Sequence, residues 1–280
     1  MIRIIGIILM ILTFTCNSYA ETRRIISLYP GHSDNIYALG GGDMLIALSE
    51  NDDDDLLPEL PRISLRTGAE RILSLHPDIV ITRGFAERIN PNLYDVLRRS
   101  GVKVISIDPP DWDNFPEYLK TLAHELNLDS ESAIMKLNAL TESIKSRSHS
   151  ESKNHPHVFL EAASREIHTC SPSSWAARLI ELAGGINIAH DAKPLRTGSA
   201  IAAFGAENVL KHHEVLDVYI IQTGAMNHAG IKDFYARSWS EALKNVKVYE
   251  IPEKYLSRPS LPGLEKGGNE LIKIFWGEMR

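Results

Sequence analysis

The chain has 280 residues, of which 44% are apolar and 24% are charged, a composition typical of a globular protein and not of a disordered or fibrous one. Thirty basic residues stand against 36 acidic ones, and the formal net charge is -6. This balance argues against a nucleic-acid-binding protein, because such a protein needs a clustered basic surface. Two cysteines cannot supply a disulfide framework.

The amino terminus has the pattern of a secretory signal peptide. Arg3 gives a positive start, an apolar run covers Ile4–Phe14, and small residues precede a predicted cleavage after Ala20. The alternative is a lipoprotein cleaved before Cys16, which the bulky residues before that cysteine disfavour. We therefore expect a periplasmic, soluble mature protein, since no second apolar run approaches about 18 residues. Cleavage leaves Cys170 alone, and we expect it to be a buried, inert thiol.

The mature chain contains an internal duplication. Three segments of the first half match three segments of the second half in the same order. The matching pairs are Gly68–Leu73 with Gly205–Leu210, Pro77–Gly84 with Leu216–Gly224, and Val102–Ile107 with Val246–Ile251. Such a repeat predicts two similar halves.

Each half alternates β-rich runs with helical stretches. In chain order, strands are predicted at Arg24–Tyr29, Met44–Ser49, Ile79–Thr82, Lys103–Ile107, His157–Glu161, Val218–Gln222 and Lys247–Ile251, and helices at Pro91–Ser100, Trp175–Ala183 and Ala206–His212. This alternation predicts an α/β fold with mainly parallel sheets. Ligands bind outside the carboxyl ends of the strands in such sheets.

A single long helix is predicted to join the halves. From Ser130 to about Ser148 the apolar residues recur at helical spacing, and a polar loop follows. We expect two α/β lobes with a ligand cleft between them. The predicted division is a signal peptide at 1–20, an amino-terminal lobe at 21–128, the connecting helix at 129–150 and a carboxy-terminal lobe at 151–280.

Four segments of this sequence resemble one known family. They are Arg24–Gly40, Ala69–Ile81, Leu179–Ala189 and Arg258–Pro262. They are similar to segments of the periplasmic binding proteins of ferric-siderophore and cobalamin ABC importers. The resemblance implies two lobes with little hinge closure, no catalysis and no cofactor. It further implies a monomer that carries a metal chelate, ferric siderophore first and corrinoid second, to a permease dimer with its ATPase subunits.

Two other functions stay open on the sequence alone. One is a periplasmic sensor or interaction protein that retained the fold, and the other, less favoured, is an enzyme that uses the cleft. No phosphate-binding loop or nucleophile elbow is present to support an enzyme. The histidine pairs at 155 and 157 and at 212 and 213 lack the flanking pattern of acidic and histidine residues of a dedicated metal site, and the acidic run at 52–55 is expected to be a solvated loop.

Glu70 and Glu207 occupy equivalent positions of the repeat, each at the start of a predicted helix. A carboxylate there complements the helix dipole. In the resembling family this pair docks on arginines of the permease, and two pseudo-symmetric carboxylates suit a symmetric partner. We therefore predict that both residues dock the permease.

The candidate ligand-binding residues lie on loops that follow predicted strands. They are His32, Arg66, Arg83, Trp112, Trp175, His228, Tyr255 and Arg258. Arg66, Tyr255 and Arg258 are placed there by the resemblance. Cobalamin binders tend to have an aromatic residue where this chain has Arg83, and a guanidinium suits anionic ligands. The tryptophans could form apolar walls, although Trp175 could equally pack in the core, and each histidine could be merely packed or solvated.

Overall fold

The computed structural model describes residues 23–52, 56–64, 66–148 and 154–277. The predicted signal peptide, with Cys16, lies outside the described residues. Within these ranges no helix has the length and apolar character needed to cross a membrane.

The amino-terminal lobe alternates strands and helices. Its elements are β1 (Ile25–Ser27), α1 (Pro30–Ala38), β2 (Leu45–Ser49), β3 (Arg62–Ile63), α2 (Ala69–Leu73), β4 (Ile79–Thr82), α3 (Gly84–Ile89), α4 (Pro91–Arg99), β5 (Lys103–Ser106) and α5 (Phe115–Leu126). The five strands form one parallel sheet in the order β3-β2-β1-β4-β5. Every residue of β1 and β4 is buried, as expected for strands covered on both faces.

Helix α6 (Glu131–Arg147) leads from this lobe to the second one. The second lobe contains β6 (His157–Ala163), β7 (His168–Cys170), α7 (Trp175–Leu182), β8 (Ile186–Asn187), β9 (Lys193–Pro194), β10 (Ile201–Ala203), α8 (Ala206–Lys211), β11 (Val218–Thr223), α9 (Ile231–Tyr235), β12 (Lys247–Pro252), α10 (Glu253–Leu256) and α11 (Leu261–Trp276). Strands β12, β11, β6 and β8 pair in parallel. Strands β7, β10 and β9 extend the sheet by antiparallel pairs. The α/β prediction is confirmed, and the antiparallel edge is a feature that the sequence did not indicate.

The duplication is visible in the hydrogen bonds at the start of the central strands. The Asp78 carboxylate accepts the backbone N–H of Arg24 at 2.7 Å, and the Asp217 carboxylate accepts that of His157 at 2.8 Å. Each aspartate carbonyl also accepts the N–H of the first residue of the next strand, Lys103 or Lys247. Thus β1-β4-β5 and β6-β11-β12 repeat the same pairing.

The two lobes share a continuous apolar core. Asn35 of α1 donates to the Pro259 carbonyl at 3.0 Å and accepts the Leu261 N–H at 3.1 Å, which ties α1 to the start of α11. Helix α11 also packs closely on α6, because a Cβ atom on Gly268 would overlap the Ile144 side chain. A shared apolar core of this kind opposes large movements between the lobes.

Candidate functional site

The carboxyl ends of the parallel strands define one edge of each lobe. In the first lobe the residues that follow these ends include Tyr29, Asp52, Arg66, Arg83 and Asp108, and in the second they include Arg165, His228, Glu253, Tyr255 and Arg258. These residues carry the candidate site.

Tyr29 and Arg83 form the centre of the amino-terminal side. The Arg83 guanidinium carbon lies 4.7 Å from the centroid of the Tyr29 ring and 5.8 Å from that of Phe85. Within the described residues Arg83 has no carboxylate partner and no side-chain hydrogen bond. A half-buried guanidinium that lies over aromatic rings and has no such partner keeps its donors available for an anionic group.

Arg258 brings a second guanidinium from the carboxy-terminal lobe. Its Nη1 lies 3.6 Å from Oδ2 of Asp34 on α1, so this ion pair bridges the lobes. Burial is the main cause that raises the pKa of Tyr29, while the charges of Arg83 and Arg258 lower it. Charges from both lobes therefore act on the Tyr29 hydroxyl.

His32 is a core residue, which corrects the expectation that it contacts the ligand. The side chain is fully buried, Nε2 lies 3.0 Å from the Ile107 carbonyl oxygen, and Nδ1 lies 2.7 Å from the Tyr118 hydroxyl. Because a carbonyl only accepts, Nε2 carries the proton and Nδ1 accepts from Tyr118. The sequence placed His32 on a loop, whereas it lies in the first turn of α1 on its buried side.

Burial lowers the pKa of His32 to about 4, and this predicts a pH-dependent stability. The unfolded state takes up a proton near pH 6.5 and the folded state only near 4, so stability falls as the pH falls between these values, by up to about 3 kcal/mol. His32→Asn keeps an acceptor for Tyr118 but does not titrate. We expect the melting temperature of this variant to fall less than that of the wild type between pH 7 and pH 4.5. Parallel profiles would contradict the assignment.

Asp52 is buried, although the acidic run that begins with it was expected to be solvated. It is 6% exposed and accepts the Ser49 N–H at 2.8 Å, while residues 53–55 lie outside the described ones. Burial raises the pKa of Asp52 to about 7. Because the unfolded state releases this proton at a lower pH than the folded state does, the Asp52 carboxyl makes the folded protein less stable as the pH rises toward 7. His32 has the opposite effect, since it makes the folded protein less stable as the pH falls.

The two candidate tryptophans contact each other at the junction of the lobes. Their ring centroids are 4.5 Å apart, and Trp175 also packs edge-on against Phe115 at 4.8 Å. Trp175 is only 4% exposed and is a core residue, the alternative that the sequence left open. Trp112 is half-buried and lines a cavity of about 360 Å³ with Lys145 and Arg178.

The remaining candidates are accessible. Arg66 and His228 are exposed. Tyr255 is half-buried and lines a cavity of about 210 Å³ between α1 and α11. The ammonium groups of Lys254 and Lys266 lie 5.3 and 5.4 Å from the centroid of its ring.

Glu70 and Glu207 occupy matching places. Each is the second residue of its helix, α2 or α8, and each is exposed. Neither carboxylate has an ion pair or a side-chain hydrogen bond within the described part of the chain. The arrangement leaves both carboxylates available to a partner.

A buried charge network that the sequence did not reveal supports the loop after β11. Glu161 is fully buried, and its carboxylate accepts from Arg237 Nη2 at 2.8 Å and from the Tyr219 hydroxyl. Asn227 Nδ2 donates to the same carboxylate at 3.3 Å. The network fixes the loop that presents His228. No local sequence pattern predicts this network, because its members come from distant parts of the chain.

Comparisons with known proteins agree with this architecture. The profile of the family described as periplasmic binding protein matches residues 25–255. The uncharacterized ABC transporter substrate-binding lipoprotein YvrC of Bacillus subtilis is 25% identical over 274 residues, which cover 91% of this chain and 81% of the relative. The vitamin B12-binding protein of Vibrio cholerae is 26% identical over 244 residues, 85% of this chain and 83% of the relative.

A solved structure shows the same fold. The periplasmic heme-binding protein RhuT from Roseiflexus sp. RS-1, in its apo form, superposes with a TM-score of 0.70 at 22% identity, covering 90% of this chain and 98% of that one.

Proposed function

This chain belongs to the periplasmic binding protein family, and from that membership we propose that it is the solute-binding component of an ABC importer for a metal chelate. It is exported to the periplasm, binds the chelate between its lobes and delivers it to a permease dimer with ATPase subunits. The names of the two relatives above, an ABC transporter substrate-binding lipoprotein and a vitamin B12-binding protein, support this role.

The observation that carries the choice of ligand is the uncompensated guanidinium of Arg83. It lies at the carboxyl end of β4 without a carboxylate partner among the described residues, and the charge of Arg258, from the other lobe, also acts on Tyr29. A ferric siderophore exposes carboxylate, catecholate or hydroxamate oxygens, which guanidinium groups bind through charge-assisted hydrogen bonds. We therefore place ferric siderophores first. Tyr255, Trp112 and the exposed Arg66 and His228 complete the proposed set, from which the buried His32 and Trp175 are removed.

A corrinoid is the second candidate, and the vitamin B12-binding relatives favour it. Such a ligand would be held mainly by aromatic and apolar walls. Two exposed apolar side chains, Phe85 after β4 and Met226 after the equivalent strand β11, could supply such walls.

The test is a binding screen on the purified mature protein. Quenching of its tryptophan fluorescence is measured with ferric enterobactin, ferric citrate, ferrichrome, cyanocobalamin and haemin, and each positive signal is repeated by titration calorimetry. We expect saturable binding of a ferric siderophore with a dissociation constant in the micromolar range or below. Saturable binding of cyanocobalamin alone would select the second candidate. If none of the five compounds binds, the proposed role in chelate transport is contradicted.

A further inference from the structure

The first strand is predicted from the sequence to end at Tyr29, whereas in the structure Tyr29 immediately precedes α1 and its ring packs on neighbouring side chains. A Cβ atom on Gly31 would come within 2.6 Å of Tyr29 Cε1, so the ring packs directly over the start of α1, and glycine leaves it room there without a shift. The His32 ring packs edge-on against it at 4.9 Å, and the Arg83 guanidinium covers it. Since both nitrogens of His32 are hydrogen-bonded, this support is rigid.

The hydroxyl of this fixed ring has no partner of its own. Tyr29 makes no side-chain hydrogen bond to any described residue, and its hydroxyl is not among the atoms sealed from solvent. Tyrosine hydroxyls in half-buried places usually find a partner. Burial raises the pKa of Tyr29, so the group is a neutral O–H donor at neutral pH.

The charged groups that act on this hydroxyl differ in the partners that they already have. Asp34 and Glu253 offset the two arginines in the field at Tyr29. Asp34, however, is the ion-pair partner of Arg258, and Glu253 lies against the backbone of Gly224 in its own lobe. An oxyanion beside Tyr29 would thus meet Arg83 directly and could compete with Asp34 for Arg258.

We propose that Tyr29, Arg83 and Arg258 form one oxyanion-binding site, in which the Tyr29 hydroxyl donates to the bound anion and Asp34 competes with that anion for Arg258. Tyr29 is then a specificity-determining residue, and its ligand is a chelate with an exposed carboxylate or other anionic oxygen. This inference rests on the proposed chelate-binding function and extends it to a residue and a competing ion pair.

Two substitutions should act in opposite directions. Tyr29→Phe removes only the donor oxygen, and we expect it to weaken the binding of ferric citrate or ferric enterobactin by about 10-fold or more, the effect of a hydrogen bond to a charged group. Asp34→Asn removes the competing charge, and we expect it to strengthen the binding of the same chelate about 2- to 10-fold. The matched control is Tyr235→Phe, since Tyr235 lies on the other lobe and is 57% exposed.

Calorimetry on the mature protein and its variants, with the melting temperature of each variant recorded, decides the matter. Opposite shifts for an anionic chelate, with unchanged binding in the control variant, support the site. Equal affinity of Tyr29→Phe and wild type overturns the inference but leaves the importer function standing. Weaker binding in Asp34→Asn at an unchanged melting temperature also overturns it, because Asp34 would then assist the ligand. If the wild type binds no chelate, the proposed function fails and the inference with it.

Discussion

Replacing Glu70 and Glu207 together by alanine should leave the chelate affinity of the purified protein unchanged and should reduce chelate uptake by cells about 10-fold or more. Both carboxylates are exposed, and neither has a partner within the described residues. They occupy the same position of the two repeats, so a two-fold symmetric permease could contact both in the same way. Uptake of the labelled chelate and calorimetry on the same variant are the two measurements.

The control for this docking prediction removes the same charge elsewhere. Glu117 of α5 and Glu241 of the turn Ser240–Leu243 are also exposed carboxylates near a helix start, one in each lobe. The double variant Glu117→Ala with Glu241→Ala should transport normally. If chelate affinity falls as much as uptake in the Glu70 and Glu207 variant, these residues belong to the binding site. If uptake is unaffected, they do not dock the permease.

Buried parallel strands were the most predictable part of the fold. The run Ile79–Thr82 is apolar without interruption, because both faces of β4 are covered, and its predicted bounds are those observed. The predicted helix from Ser130 to Ser148 differs from α6 by one residue at each end. Repetition helped as well, since each half of the sequence supported the assignment of the other.

The antiparallel edge of the second lobe could not be predicted. Strand β9 has two residues and β7 and β10 have three, which is too short to show an alternating pattern. Their pairing also depends on the partner strands, because β7 pairs with the carboxy-terminal half of β6 while β8 pairs with its amino-terminal half.

For the candidate site, too, the sequence predicted some side-chain positions and not others. Position after a strand was enough to select Arg83, whereas Tyr255 was selected by the family resemblance. Both are half-buried in the structure. It was misleading for His32, because a residue in the first turn of a helix faces either the cleft or the core according to its angular position. Long-range pairs were not predictable at all, since Asp34 and Arg258 meet only when the lobes pack together.

Substitution of Arg83 by glutamine should weaken the binding of an anionic ferric chelate about 10- to 100-fold. Glutamine keeps a donor but removes the charge, and a hydrogen bond to a charged group contributes about 1.5–3 kcal/mol. The loss should be large here because Arg83 is half-buried and has no carboxylate partner within the described residues. Arg66→Gln should have a smaller effect, since Arg66 is exposed and solvent screens its charge. The double variant should lose between one and four orders of magnitude, as measured by calorimetry.

Two comparisons separate this charge effect from a change of structure. Arg99→Gln, on the exposed side of α4, removes the same charge away from the site and should bind as the wild type does. Added salt should weaken chelate binding to the wild type more than to Arg83→Gln, because the variant has lost a charge that ions screen. A corrinoid held by apolar walls would be nearly indifferent to both the substitution and the salt. An unchanged dissociation constant for Arg83→Gln with a ferric siderophore would therefore remove siderophores from first place and leave the corrinoid as the favoured ligand.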